Sequence, residues 1–251
     1  MRTRVLTFLE DRLATSVKFN GIFYPADAVC NAVLNCVFPM FYGNPQTPEY
    51  PLSRSGSGFK VKQDNKYVLF SSEHQHKSFE PDWAILPSQK EQVWTSGNGI
   101  TFSYSDEEQL GLDVRMYDFS GPVSEGSIAM TGWYQLRRSY HWDKILGCIA
   151  FGYPTEFNMI YDNPDEISLN CIAATGEYLG ETIGNLHGMR LDKLMASDPD
   201  GISGGPAFFL TRHGDVSEII PAGIITNASR SVINFVHARK LQRFLSRDLI
   251  S

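Results

Sequence analysis

The segment "DGISGGPAFFL" at residues 200–210 sets Ser203 between Gly201 and a pair of glycines, then passes through Pro206 into an apolar run. A serine in such a loop can act as a nucleophile for acyl transfer if two backbone N–H groups, from Gly201 and from Ser203 itself, point together at the developing oxyanion. Gly204 and Gly205 allow the torsions such a loop requires and leave the approach to Ser203 free of side chains. A serine alone is inert at neutral pH. It needs a base within hydrogen-bond reach, and the base needs an acid that holds its tautomer and balances the imidazolium. Upstream, "VLFSSEH" ends an apolar run at His74, and "LGLDVRMYDF" opens an alternating run at Asp113, which gives the order His, Asp, Ser. His76 competes for the role of base and Asp118 for that of acid.

A second arrangement also fits the letters. Gly201, Ser203 and Gly205 satisfy the G-x-S-x-G pattern of an α/β-hydrolase elbow, with Asp215 and His237 following in the required order. That elbow needs a strand before the serine and a helix after it, whereas "MASDPD" precedes Ser203 and Pro206 with "AFFL" follows. An esterase of this type requires His237 and not His74. The plain alternatives are a Gly-rich turn at Ser203 and Gly201 and a half-buried strand-end histidine at position 74. "HQH" at 74–76 puts two imidazoles on one face if the segment is a strand, but no third ligand is suitably spaced, so no metal is expected. Trp83, Trp94, Trp133 and Trp142 read as core or loop anchors, and no cofactor is expected.

The elements that must carry these residues are short β runs: "SGFKV", "KYVLFSS", "LDVRMYDF", "KILGCIAFGY", "EISLNCIAA", "AFFL", "PAGIIT" and "SVINFV", punctuated by Gly, Pro, Asn and Asp. "KQDNK" at 62–66 closes a hairpin through Asp64 and Asn65. No βαβ alternation occurs, so the fold class is all-β. In "VHARKLQRFLSRDLI", Val236, Leu241, Phe244 and Leu245 recur at the spacing of an amphipathic C-terminal helix. Val5, Leu6, Leu9 and Leu13 suggest another near the start. The polar stretch "SGPVSEGS" at 120–127 is the expected join between two β halves.

Among 251 residues the net charge is −6, and the 22 Lys and Arg form no basic stripe, so nucleic acid is not an expected partner. "AVCNAVLNCVFPMF" at 28–41 is too short to span a bilayer, which needs ~20 residues, and no secretory h-region is visible; a cytoplasmic protein without membrane contact is expected. The four cysteines, Cys30, Cys36, Cys148 and Cys171, match neither a zinc spacing nor a disulfide scaffold and read as buried thiols.

The motif blocks together resemble the trypsin-like serine peptidases of chymotrypsin fold. "GSGFKV…YVLFSSEH" is similar to the family's "GTGF…TAxH" segment, with Ser71 and Ser72 where Thr and Ala are usual and His74 on the catalytic histidine. "LDVRMYDF" resembles the strand that opens with the family's aspartate, here Asp113. "GISGGPAF…PAGIIT" resembles the nucleophile loop and the strand after it, and "GYP" at 152–154 recurs in single-chain bacterial relatives. The blocks run from Gly56 to Thr226. The resemblance implies two antiparallel six-stranded β-barrels with the catalytic cleft between them and a C-terminal helix. Residues 1–120 would hold an N-terminal segment and the first barrel with His74 and Asp113, and residues 121–251 the second barrel with Ser203 and the helix. It further implies a serine endopeptidase that acts on polypeptides through an acyl-enzyme, with Gly201 and Ser203 forming the oxyanion hole.

The departures carry expectations of their own. The digestive enzymes have an aspartate just before the nucleophile that captures a newly cut N-terminus; here Ile202 cannot, so the hole is expected to be preformed or set by a regulatory protein partner. By count Ser197 lies at the base of the substrate pocket. Thr226, Asn227 and Ala228 replace the usual Ser-Trp-Gly of its wall, which suggests a small or uncharged residue before the cut bond, with Asp198 and Asp200 close by. "SSEH" and the missing pocket residues also fit an inactive relative that serves as a peptide-binding or scaffold module.

Overall fold

A computed structural model describes residues 15–43, 52–76, 83–87, 94–101, 112–140, 142, 144–157, 169–195 and 198–246. The expected N-terminal helix over Val5 to Leu13, and Ser197, lie outside the described residues.

Six strands make the first barrel: β3 (Val37–Gly43), β4 (Leu52–Gln63), β5 (Lys66–Ser71), β6 (Trp83–Pro87), β7 (Trp94–Thr101) and β8 (Arg115–Asp118). They pair in the order β3-β6-β7-β8-β5-β4, and β3 pairs again with β4 to complete the ring. The helix α1 (Val29–Leu34) precedes them. It and β3 divide the apolar stretch at 28–41 between them. The hairpin β4–β5 turns through Asp64 and Asn65, with Gln63 facing Lys66 and Asp64 at φ 54°, as the turn chemistry predicts.

After β8 come the short helix α2 (Ser120–Ser124) and β9 (Tyr134–Gln135), which pairs in parallel with β4. The second barrel follows: β10 (Ile145–Gly152), β11 (Ile172–Glu181), β12 (His187–Leu191), β13 (Pro206–His213), β14 (Val216–Ala228) and β15 (Val232–His237). Its order is β13-β10-β11-β12-β15-β14, closed by β13 on β14. The N-terminal hairpin β1 (Ser16–Phe19) and β2 (Ile22–Pro25) joins this sheet, β1 lying parallel to β14. A short C-terminal helix, α3 (Ala238–Ser246), packs on the body through Leu241, Phe244 and Leu245. Val236, expected in that helix, instead belongs to β15 and faces Ile224 of β14; the β-branched and aromatic run "VINFV" favours the pleated ladder.

Two cores result, and β5 and β8 separate them. Leu69 and Tyr117 fill the first barrel with Met40, Tyr42 and Phe119. Val68, Phe70, Val114 and Met116 point the other way, into a larger core shared with Phe208, Ile219 and Ile224 of the second barrel. Alternate residues of one strand therefore serve two cores, which fixes register, since a slip of one residue would exchange them. The chain leaving β5 carries His74, and the chain entering β8 carries Asp113. No helix of the described residues is long and apolar enough to cross a membrane.

All four cysteines are free, but they are not all buried. Cys36 and Cys148 are enclosed, and burial pushes both thiols up to about 12. Cys30 is exposed because α1 turns Val29 and Val33 toward the core and leaves the position between them to solvent.

Candidate active site

After β5 the chain makes one helical turn, Glu73–Gln75, rather than continuing as a strand. His74 and His76 consequently do not share a face. The His74 N–H donates to Asp113 Oδ1 at 2.8 Å, and its ring Nδ1 meets Asp113 Oδ2 at 2.5 Å. An ionised carboxylate only accepts, so the proton lies on Nδ1 and Nε2 is left as the basic nitrogen. Glu73 is held in turn: both its carboxylate oxygens accept from Arg115 Nη1, at 3.1 and 3.0 Å, and the Arg115 side chain is 4% exposed. Two successive residues of the turn are thus tied to residues 113 and 115.

The competitors have other partners. His76 is buried between the rings of Tyr42 and Tyr117, with its Nδ1 3.2 Å from the Tyr117 hydroxyl. Burial, and then the Arg115 charge, lower its pKa. Asp118 caps a local turn by accepting the Ser120 N–H at 2.8 Å. Ser203 is followed by the strand β13, not by a helix, which removes the elbow arrangement. Asp215 lies in the turn between β13 and β14, and His237 packs on Trp142 and His187 at ring separations of 4.7 and 4.5 Å.

His74, Asp113 and Ser203 line one open cleft of about 460 Å³. Thr226, Asn227 and Ala228 line it too, as the count along the chain suggests, and Asp198 and Asp200 add two carboxylates to its rim. Register shifts between Ile225 and Asn227 of β14, so Thr226 sits at an irregularity that re-aims its side chain. The Thr226 hydroxyl is buried and has no hydrogen-bond partner among the described residues.

The Ser203 loop is held by the backbone of both barrels. Gly204 N–H donates to Ile225 O at 2.7 Å, Gly205 N–H to Ile202 O at 3.0 Å, and Ser57 N–H of β4 to Ser203 O at 2.9 Å. The Ser57 hydroxyl donates to Gly201 O at 2.8 Å and accepts the Tyr153 N–H at 2.8 Å. Ile202 is 2% exposed and fills the space above Gly152, whose absent Cβ would lie 2.8 Å from the Ile202 Cα. Among the described residues the amides of Gly201 and Ser203 donate no hydrogen bond.

Gly204 takes the left-handed torsion expected of this loop, and both glycines have a further use that the sequence does not show. Gly204 and Gly205 admit neighbouring backbone. A Cβ on Gly204 would lie 2.0 Å from the Ser57 carbonyl oxygen, and one on Gly205 2.1 Å from that of Phe151. Gly204 also has φ +82°, a region that L side chains avoid by ~1–2 kcal/mol. Gly204→Ala therefore combines backbone strain with a clash, and overpacking alone costs ~1–3 kcal/mol. The expected loss is about 3 kcal/mol, read in a thermal melt as a Tm lower by roughly 6–12 °C. An unchanged Tm contradicts this account of the loop.

The contacts of Ser57, Ser71 and Gln75 with this loop were not legible in advance. "GSG" at 56–58 stood out only as part of a motif, and a glutamine after a histidine carries no signal of its own.

The fold is the chymotrypsin type, two β-barrels with a short C-terminal helix. Solved structures similar to it include the serine endoprotease from Yersinia pestis, 14% identical with a TM-score of 0.50 over 86% of this chain and 64% of that one. Human heparin binding protein is 8% identical, with a TM-score of 0.52 over 85% of this chain and 91% of that one. The chain thus spans 64% of the length of the Yersinia endoprotease. Likeness at these identities is likeness of fold. No family model matches the chain, and no curated protein does.

Proposed function

We propose that the protein is a serine endopeptidase. The observation that carries this reading is the 2.5 Å contact of His74 Nδ1 with Asp113 Oδ2, made in the same cleft that Ser203 lines. Asp113 holds the imidazole in the tautomer whose Nε2 is basic, and His74 accepts the Ser203 proton as the hydroxyl oxygen attacks a peptide carbonyl carbon. The tetrahedral oxyanion is met by the Gly201 and Ser203 amides, which have no other acceptor among the described residues. Collapse expels the amine, which takes the proton from His74 and leaves an acyl group on Ser203; water then repeats the sequence and releases the acid. The chemistry uses no cofactor. The substrate is a polypeptide, and the uncharged residues Thr226, Asn227 and Ala228 line the cleft that would receive it.

A mixed peptide library incubated with the full chain and read by mass spectrometry tests this. Internal cleavage that disappears with Ser203→Ala is the expected result, and the cut sites reveal the residue preferred before the scissile bond. Peptides that bind and are recovered intact would instead make the protein a binding module.

A further inference from the structure

We propose that Gln75 is a positioning residue that clamps the nucleophile loop to the turn bearing His74, an inference that rests on the peptidase reading above. The Ser203 carbonyl receives two hydrogen bonds from the first barrel, one from Ser57 N–H at 2.9 Å and one from the Gln75 carboxamide. A carbonyl oxygen only accepts, so Gln75 Nε2 must be the atom that faces it. This orientation directs Oε1 to the Ser71 hydroxyl, 2.8 Å away, which also lies 2.9 Å from the Ser57 carbonyl.

The slot around this side chain is built from absent side chains. A Cβ on Gly56 of β4 would lie 1.7 Å from Gln75 Nε2, and one on Gly204 would lie 3.0 Å from Oε1. Gln75 is 7% exposed, while Ser57 and Ser71 are fully buried. The same helical turn thus carries the base, His74, and the residue that grips the peptide following Ser203. Their shared rigidity converts a contact between barrels into a fixed relation between imidazole and hydroxyl, and a displacement of ~1 Å in such a pair can cost ~10²-fold in rate.

Each replacement removes a different part of the clamp. Gln75→Met fills the slot without a donor and leaves the Ser203 carbonyl to Ser57 alone. Gln75→Glu keeps the shape; while protonated it still donates, and once ionised it sets a carboxylate against a carbonyl oxygen. The charged and titratable groups on the elements around it are Glu73, His74 and His76 of its own turn, Tyr42 of β3, Arg54 of β4, Asp113 ahead of β8, Arg115 and Tyr117 within it, and Asp198 and Asp200 ahead of Ser203. They are common to wild type and variants.

The test is the rate at which a fluorophosphonate labels Ser203 in the full chain between pH 5 and 8, with a thermal melt of each variant. A base that acts as the neutral imidazole gives a wild-type rate that rises with pH. Gln75→Met is expected to label ~10²-fold more slowly with an unchanged profile. Gln75→Glu is expected to show a falling limb toward high pH that the wild type lacks. Variants that melt lower yet label like the wild type, with its pH profile, overturn the clamp and leave the peptidase reading standing. A folded wild type that is not labelled overturns both.

Discussion

Ser203→Ala is expected to lower kcat for peptide hydrolysis by ~10⁴-fold or more, equivalent to ~5 kcal/mol of transition-state stabilisation. The residual rate comes from the oxyanion donors and substrate binding, which this substitution leaves in place. Stability should hardly move, and the reason is local. It is the carbonyl of Ser203, not its hydroxyl, that accepts from Ser57 and Gln75, so an alanine keeps the loop docked. The expected change is within ~0.5 kcal/mol, as for a substitution that removes no buried contact. The substitution thereby separates chemistry from folding, which Gly204→Ala cannot do. Peptide hydrolysis by Ser203→Ala at the wild-type rate contradicts the assignment of the nucleophile.

The second large effect is on stability in acid, and it arises from a residue that does not line the cleft. His237 ends β15 against Trp142, Phe209 and His187, and its Nδ1 accepts the Arg239 N–H at 3.1 Å. Burial first, and then His187, Arg239 and Lys240, lower its pKa to about 3. His187 is lowered too, by burial, with Lys240 and Arg239 acting in the same direction and Glu181 against it; its Nδ1 meets the Tyr178 hydroxyl at 2.5 Å. An unfolded imidazole takes its proton near pH 6.5, well above the folded value, so the unfolded chain binds the proton first. The contribution of a neutral His237 is therefore complete above pH 6.5 and is lost as pH falls from there toward about 3. Its full size is on the order of 5 kcal/mol. Tm should fall over this window in the wild type and fall less in His237→Phe, which keeps a ring in the aromatic cluster. Parallel Tm curves for the two proteins would contradict this origin of the acid sensitivity.

Local signals in the chain foretold local structure. "KQDNK" marked its hairpin, and "LDVRMYDF" alternated as a strand between two cores must, with Val114 and Met116 on one side and Arg115 and Tyr117 on the other. The glycine-flanked Ser203 marked its loop for a similar reason, since left-handed torsions and close backbone approach restrict residue type at single positions. The convergence of His74 and Asp113 needed more than spacing, and the resemblance to known peptidases supplied it. Long-range pairing left no mark. β1 and β2 open the described chain yet attach to β14, because their four-residue runs state only that they are strands. The serines at 57 and 71 read as ordinary polar residues of β strands, although their hydroxyls donate to the carbonyls of Gly201 and Ser57 behind the nucleophile loop. Cys30 shows the limit from the other side: composition favours burial of free cysteines, but the face of a two-turn helix decides each case.

The most direct measurement is the site and the dependence of covalent labelling. The full chain is treated with a fluorophosphonate at neutral pH and the adduct is mapped by mass spectrometry in the wild type, His74→Ala and Asp113→Asn. One adduct per chain on Ser203, formed at least ~10³-fold more slowly in both variants, is the predicted outcome. A correctly folded wild type that stays unmodified, or one modified as quickly without His74 as with it, would contradict the claim that these three side chains work as one unit.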